Sequence, residues 1–176
     1  MDRGQLQHVV YEIGRRLQIE EVYVIGSAAI LAKLPNPPQG ELTATRDVDV
    51  IPPDDDQELA HAISFVLGEA SPFDELNGYY AEGVTSETPK FAPHDWKSRA
   101  VAIQLEGIVA RCMSPEDLVL SKLGAGREKD FGFARSLATL KILDLGLLVD
   151  LLERVECTPE ERKLIANRIE ATFLNE

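Results

Sequence analysis

In the first 112 residues, segments whose hydrophobic positions recur with the period of a helix are interspersed with segments that have the pattern of a strand. Where apolar residues recur every three or four positions, or where the composition favours a helix, we predict helices over residues 3 to 18, 27 to 34 and 56 to 69. Where apolar residues are consecutive, or alternate with polar ones, we predict strands over residues 22 to 25, 47 to 51, 101 to 105 and 108 to 112. The last two strands form a hairpin. The Gly-, Pro- and Ser-rich stretch from 70 to 95 gives no assignable element.

The remainder of the chain shows helical patterns only. Ser114, Pro115 and Asp117 form a helix start, because serine caps the helix, proline fits its first position and the acid three residues on reaches back to the cap. Further apolar periodicity follows, and the sequence Thr-Pro-Glu-Glu at 158 to 161 begins the last helix. This order of elements predicts an α+β fold, in which a mixed sheet is backed by helices and the carboxy-terminal part is helical.

Length and composition place this fold in a single domain. A chain of 176 residues with 44% hydrophobic residues buries a full core, so we expect one domain over residues 1 to 176, with a sheet-containing core in 1 to 112 and a helical part in 113 to 176. Cys112 and Cys157 form no CxxC pair and are expected to be buried reduced thiols. No signal peptide and no apolar run of about 18 residues appears, which predicts a cytoplasmic protein without a membrane contact.

The charge balance argues against a basic nucleic-acid groove. The chain has 18 basic and 30 acidic residues and a net charge of −12, which opposes non-specific attraction to polyanions. Residues 85 to 135 differ from the rest, since they contain eight Lys or Arg and seven Asp or Glu. We therefore expect any anion-binding surface to lie in that middle segment.

Asp47 and Asp49 are separated by one apolar residue in the predicted strand 47 to 51. Side chains alternate along a strand, so both carboxylates fall on one face while Val48 and Val50 face the core. Two like charges side by side repel each other unless a cation lies between them, and carboxylate oxygens are ligands for Mg²⁺ or Mn²⁺. We predict that these aspartates bind the metal; the alternative is a solvated polar strand face.

Gly26 and Ser27 connect a predicted strand to a predicted helix. Backbone N–H groups and the dipole at a helix start favour a phosphate there, although glycine also serves simply to make a turn. A hydrophobic strand, Gly-Ser, a helix and an acid-hydrophobic-acid strand together resemble the signature of the DNA polymerase beta-like nucleotidyltransferase superfamily. The resemblance rests on residues 22 to 51. It implies that the Gly26-Ser27 turn binds the triphosphate of an NTP, and that Asp47 and Asp49 act catalytically through metal ions that activate an acceptor hydroxyl.

A second stretch, residues 114 to 130, resembles the smaller prokaryotic branch related to AbiE-type toxin nucleotidyltransferases. The pattern K-x-x-A-x-R-x-x-D of that branch is met loosely, and Thr45-Arg46 fits the same group's approach to its acids; the residues that fit the pattern are Lys122, Ala125, Arg127 and Asp130. The resemblance implies that Lys122 is catalytic and neutralises phosphate, that Arg46 and Arg127 bind the nucleotide, and that Asp130 joins the site or holds a base. The alternative for each is a solvated face with a local ion pair.

The third carboxylate of the superfamily comes from a later strand. In this chain the hairpin strand offers neutral Gln104 on its polar face, and Glu106 stands only at the turn. Two carboxylates suffice for one Mg²⁺ with substrate, but the third metal ligand is left open.

Two functions follow from these residues. The first is an Mg²⁺-dependent nucleotidyltransferase that moves a nucleoside monophosphate from an NTP to a hydroxyl on RNA (tRNA included), a protein or a small molecule; kinship with toxin enzymes implies a toxin–antitoxin role with a cognate antitoxin. The alternative, motivated by Gln104, is a catalytically weakened fold that binds a nucleotide or a protein partner without turnover. A purely structural interaction module, built on the apolar helices after residue 127, is a third possibility.

Overall fold

The computed structural model describes residues 1–173 and divides them into two compact units. The first unit consists of residues 1 to 88 and 100 to 113, and the second consists of residues 89 to 99 and 114 to 173. The single domain predicted from composition stays a prediction.

The first unit is built on a five-stranded mixed sheet. Its strands are β1 (Glu21–Ile25), β2 (Asp47–Ile51), β3 (Tyr80–Gly83), β4 (Val101–Leu105) and β5 (Ile108–Cys112). Their order across the sheet is β3-β2-β1-β5-β4. β1 runs antiparallel to β2 and parallel to β5, β3 is parallel to β2, and β4 forms a hairpin with β5. The α+β class predicted from the sequence, with a mixed sheet backed by helices, is thereby confirmed.

Three helices accompany this sheet: α1 (Arg3–Leu17), α2 (Gln57–Leu67) and α3 (Pro72–Asn77). Apolar side chains of α1 and of the strands form the core; those fully removed from solvent include Leu6, Val9, Ile13, Val22, Val24, Val48 and Val50. The strand residues alternate between this core and the other face as a half-buried strand requires.

α2 lies in direct backbone contact with the edge strand β3. A Cβ built at Gly83 would overlap the carbonyl group of Ala60, so only glycine permits this approach. The Gly83 N–H also donates to Ser64 Oγ on α2, at 2.9 Å. The carboxy-terminal end of β3 is therefore fixed to α2 as well as to β2.

The second unit is helical in its part from residue 114. Its helices are α4 (Pro115–Ala125), α5 (Glu128–Thr139), α6 (Leu145–Leu152) and α7 (Pro159–Phe173). α4 is the central helix and contacts the other three. As predicted, Ser114 caps α4 by accepting from the Asp117 N–H, and Thr158 with Glu161 forms the cap at the start of α7. Arg99, from the 89–99 segment, donates two hydrogen bonds to the buried Asp117 carboxylate.

Two sequence-based expectations differ from the structure, and a stretch that the sequence left unassigned contains regular elements. Residues Ser27–Ala32 form a 3₁₀ helix instead of the predicted α-helix, and the prolines and glycine from 35 to 40 prevent its continuation. The stretch from 70 to 95 contains α3 and β3. Cys112 is buried, and burial raises the pKa of its thiol to about 12, whereas Cys157 is only half-buried.

Among residues 1–173, no helix combines the length and the apolar character that a membrane crossing demands.

Candidate metal and nucleotide site

Three carboxylates meet on one face of the sheet in the first unit. Asp47 and Asp49 on β2 and Glu82 on β3 each place an oxygen within 4.8 Å of the others. The two aspartates are half-buried and Glu82 is exposed, so the cluster is open to solvent on one side. An arrangement of three acidic oxygens suits a hard divalent cation, because the cation offsets the repulsion among the carboxylates.

The strand period explains how two of the carboxylates come together. Val48 and Val50 are fully buried, and their neighbours Asp47 and Asp49 consequently point to the opposite face of β2. The structure thus brings together the two aspartates that the alternation predicts on one strand face.

Glu82 is the site residue that the sequence did not reveal. It lies on β3, which pairs in parallel with β2 and places Glu82 opposite Asp49. Tyr80-Ala81-Glu82 alternates, and Ser71-Pro72 with Asp74 repeats the helix-start pattern of Ser114-Pro115 with Asp117. These two signals indicate a short helix followed by a strand within the unassigned stretch.

The hairpin does not provide the third carboxylate. β4 is separated from β2 by β1 and β5, and strands in a sheet lie about 4.8 Å apart, so Gln104 and the adjoining turn with Glu106 stand roughly 14 Å from β2. The sequence left the third ligand open, and the hairpin strand, which offered only Gln104 with Glu106 at its turn, lies too far from β2 to complete the cluster. The parallel strand β3, on the other side of β2, carries the third carboxylate of the cluster, Glu82.

Gly26 lies directly against Asp49. β1 ends opposite Asp49, where Ile25 and Asp49 are register partners, and Gly26 follows with a φ of +67°. A Cβ at Gly26 would overlap Asp49 Oδ2. Gly26 is required here both for its left-handed backbone and for the close approach of the carboxylate. The predicted turn and the predicted metal ligands are thus neighbours, and Ser27 begins the 3₁₀ helix beside them.

The shortness of that 3₁₀ helix changes the argument for a phosphate at Gly26-Ser27. It has six residues, so its dipole is weaker than that of the predicted α-helix, and the turn's backbone N–H groups carry the larger part of any attraction for an anion. The role of Gly26 and Ser27 toward a triphosphate stays a prediction.

Two residues before the aspartates support β2 from its start. The Thr45 hydroxyl donates a hydrogen bond to Asp47 Oδ1 and orients that carboxylate. Arg46 turns toward the segment that leads into β3: its Nε donates to the Gly78 carbonyl at 2.9 Å and its Nη2 donates to Asp74 Oδ1 at 2.8 Å. Two nitrogens of the Arg46 guanidinium are therefore already hydrogen-bonded to protein acceptors.

Lys122, Arg127 and Asp130 lie together in the second unit. Asp130 is fully buried, and it accepts from Lys122 Nζ at 3.2 Å and from Arg127 Nε at 2.7 Å. Burial lowers the pKa of the Lys122 ammonium, and the neighbouring Asp130 charge offsets only part of that effect. For Asp130, burial acts upward on the pKa, but the Arg127 and Lys122 contacts outweigh it and the pKa is lowered. Lys122 Nζ also lies 4.6 Å from the centre of the Phe133 ring.

The basic residues of the middle segment are largely engaged with acids. Five of the eight form ion pairs with carboxylates: Lys90, Arg99, Arg111, Lys122 and Arg127. The predicted nucleotide contacts of Lys122, Arg127 and Asp130 stay predictions, as does the anion-binding surface in residues 85 to 135.

Comparison with known proteins identifies a family for nearly the whole chain. The model of a family described as "Nucleotidyltransferase of unknown function (DUF6036)" matches residues 5–174. The match includes Asp47, Asp49 and Glu82 as well as the segment with Lys122. No curated protein and no solved structure matches the chain.

Proposed function

We propose that this chain, which belongs to the DUF6036 family of nucleotidyltransferases, transfers a nucleoside monophosphate from an NTP to a hydroxyl group with the help of Mg²⁺ or Mn²⁺. The observation that carries the proposal is the carboxylate cluster of Asp47, Asp49 and Glu82 beside the Gly26 turn. Nucleotidyl transfer requires positive charge next to a triphosphate, and this cluster is the place in the first unit where such charge is favoured.

The donor set fits a hard divalent cation. All three ligands are carboxylate oxygens, and the cluster contains no sulfur or imidazole that would favour a softer metal. When bound, a divalent cation supplies the positive charge that polarises the phosphate and lowers the pKa of a hydroxyl next to it. The open side of the cluster, where Glu82 is exposed, leaves room for water and phosphate oxygens in the coordination shell.

The protein residues have distinct tasks in the proposed reaction. Asp47 and Asp49 hold the cation, and the Thr45 hydroxyl keeps the Asp47 carboxylate oriented. The Gly26-Ser27 turn receives the triphosphate next to Asp49. Glu82 completes the cation site as its third carboxylate, and the proton of the acceptor hydroxyl passes to water at the open side of the cluster. The acceptor oxygen then bonds to the α-phosphorus as the bond to the bridging oxygen breaks, and pyrophosphate leaves with that electron pair.

The binding-only alternative loses its motivation, because it rested on Gln104 in place of a third carboxylate. Glu82 gives the cluster its third carboxylate. We therefore favour turnover over binding alone.

The acceptor and the biological role are finer parts of the proposal. The resemblance of residues 114 to 130 to the AbiE-type branch supports a toxin of a toxin–antitoxin pair, with tRNA or a protein as acceptor. Growth arrest upon expression of the wild type, and normal growth with Asp47→Asn/Asp49→Asn, would support the toxin role. Normal growth with both would contradict it.

Label transfer tests the activity itself. The full chain is incubated with each of the four α-³²P-labelled NTPs, Mg²⁺ or Mn²⁺, and separate tRNA and protein fractions. We expect label in one macromolecular fraction together with released pyrophosphate, and neither product with Asp47→Asn/Asp49→Asn. The matched control Glu58→Gln/Glu106→Gln removes two exposed carboxylates from the same unit and should behave as wild type.

Thermal melting separates binding from turnover. An NTP brings roughly four negative charges to an acidic site, so we expect nucleotide and divalent cation to bind cooperatively. A ligand at one hundred times its Kd raises stability by about 2.7 kcal/mol, which a melt detects. A cation-dependent shift without label transfer would favour the binding-only alternative, and the absence of any shift at millimolar ligand would contradict the nucleotide site.

A further inference from the structure

We propose that Arg46 is a positioning residue of the metal site: its guanidinium fixes the start of β3 so that Glu82 stands opposite Asp49. The inference rests on the proposed function, since it concerns the same carboxylate cluster. It gives Arg46 a different task from the nucleotide contact that the sequence implied.

The contacts of Arg46 converge on the short segment that leads into β3. Nε donates to the carbonyl of Gly78, the residue that ends α3, at 2.9 Å. Nη2 donates to Asp74 Oδ1 on α3 at 2.8 Å. The guanidinium also lies 5.9 Å from the centre of the Tyr80 ring, at the first position of β3. One side chain at the start of β2 therefore contacts α3, its end and the strand that follows.

The acid that Arg46 grips is itself firmly held. The side chain of Asp74 is 10% exposed, and its second oxygen accepts from the Ala70 N–H at 3.1 Å. The Asp74 N–H donates to Ser71 Oγ, the cap of α3. Because other hydrogen bonds already hold Asp74 in place, its ion pair with Arg46 fixes the position of α3 relative to the start of β2.

The register of β3 decides whether the metal site is complete. Tyr80 pairs with Asp47 and Glu82 pairs with Asp49. Side chains in a strand alternate, so a slip by one residue turns Glu82 to the opposite face of the sheet. β3 has four residues and pairs with β2 alone within the sheet, and a strand this short has few ladder hydrogen bonds with which to define its own register. Gly83 anchors its end on α2, and Arg46 anchors its beginning.

The geometry disfavours the nucleotide contact for the same side chain. Arginine grips a phosphate through two parallel N–H groups, and in Arg46 Nε and Nη2 are already directed at Gly78 and Asp74. A phosphate would have to compete with these two protein acceptors.

Binding of Mn²⁺ alone to the full chain tests the inference, with free Mn²⁺ followed by electron paramagnetic resonance. We expect Arg46→Gln to weaken Mn²⁺ binding by about 10- to 100-fold, the range found for residues that orient metal ligands. Asp74→Asn should weaken it similarly, and the double variant should be no weaker than either single one, because both remove the same link. The control Arg111→Gln breaks an ion pair between Arg111 on β5 and Glu21 on β1 of the same sheet. This variant should bind Mn²⁺ as the wild type does.

The direction of the change in Mn²⁺ affinity distinguishes a positioning role of Arg46 from a purely electrostatic one. If Arg46 acted only as a nearby cation, removing its charge would tighten Mn²⁺ binding. An affinity of Arg46→Gln equal to or higher than wild type overturns the inference. Arg46→Lys keeps the charge but cannot make both hydrogen bonds, so we expect it to bind more weakly than wild type; full wild-type affinity would also count against the inference.

Two further measurements keep the outcomes distinct. Each variant is melted without metal, and if Arg46→Gln does not fold, Asp74→Asn and Arg46→Lys carry the test with the same expected weakening. Asp47→Asn/Asp49→Asn is titrated in parallel. Failure of the wild type to bind Mn²⁺ overturns the metal site and the inference with it, whereas wild-type binding that Arg46→Gln preserves overturns the inference alone.

Discussion

Asp49 and Glu82 are direct neighbours on two parallel strands, although they belong to separate segments of the chain. Asp49 also lies against Gly26, so this aspartate connects the turn after β1 to the carboxylate of Glu82 on β3. Three strands, β1, β2 and β3, thereby contribute to one group of acidic and turn residues. We expect substitutions at the turn, at the aspartates or at Glu82 to change cation binding differently.

Replacement of Glu82 tests whether β3 provides the third ligand. Glu82→Gln removes one of three anionic oxygens, and we expect Mn²⁺ affinity to fall at least tenfold with little change in stability, because Glu82 is exposed. Gln104→Ala on the exposed face of β4 is the control and should leave the affinity unchanged. Equal affinities of wild type and Glu82→Gln, measured by titration, would remove Glu82 from the site.

Gly26→Ala tests the close contact between the turn and Asp49. An alanine at φ +67° costs roughly 1–2 kcal/mol of stability, and its Cβ would also displace the Asp49 carboxylate. Gly107→Ala is a matched control, since Gly107 has a φ of +76° with open space where a Cβ would lie. Both variants should show similar losses in urea unfolding, and only Gly26→Ala should lose Mn²⁺ affinity. Equal Mn²⁺ binding by the two would argue against the contact.

Lys122→Met tests the energetic role of the buried ion pair in the second unit. Asp130 is fully buried, and without the ammonium its charge is balanced mainly by Arg127, whose side chain is 60% exposed. Breaking a buried pair in this way costs about 3–5 kcal/mol. We expect a lower urea midpoint for Lys122→Met and a partial recovery in Lys122→Met/Asp130→Leu, whereas Lys129→Met, at an exposed position, should match wild type. Unchanged stability of Lys122→Met would show that the pair is dispensable for folding.

Glu12 gives the first unit a defined acid sensitivity. The hydrogen bonds from Arg15, together with the one from Arg16, outweigh the effect of burial and lower the pKa of Glu12 from 4.5 to about 2. The unfolded chain therefore binds more protons than the folded chain between these values, so the contribution of Glu12 is present above pH 4.5 and is lost as the pH falls toward 2. Both arginines are partly exposed, which limits the contribution to the order of 1 kcal/mol.

Unfolding by urea at several pH values checks this effect. Glu12→Gln should be less stable than wild type at pH 7, and the two curves should converge near pH 2. The exposed Glu20→Gln serves as the control and should follow the wild-type curve throughout. A constant difference between Glu12→Gln and wild type at all pH values would contradict the linkage.

Local patterns in the sequence were sufficient to predict much of this architecture. The alternation at 47 to 51 placed Asp47 and Asp49 on one face of β2, and the capping residues at Ser114 and Thr158 marked the starts of α4 and α7. These features depend on residues close in the chain, where the physical preference of each position acts directly on the backbone.

The pairing of β3 with β2 could not be predicted from local sequence patterns. β3 has four residues, ends in glycine and follows a helix of only six residues, so both elements are too short to show a repeated hydrophobic pattern. Its partner β2 is distant in sequence, and parallel pairing leaves no hairpin turn as a local sign. The third carboxylate was missed because its position is set by tertiary contacts, among them that of Gly83 with Ala60.

We expect the crossover from β2 through α2 and α3 to β3 to make cation affinity a late product of folding. A chain that has paired β1 with β2 holds only two of the carboxylates, since Glu82 arrives when the crossover closes and the parallel pair forms. Such non-local pairings are slow to form compared with hairpins and helices. During refolding, the return of strong Mn²⁺ binding should therefore mark closure of this crossover, and should lag behind the recovery of helical structure.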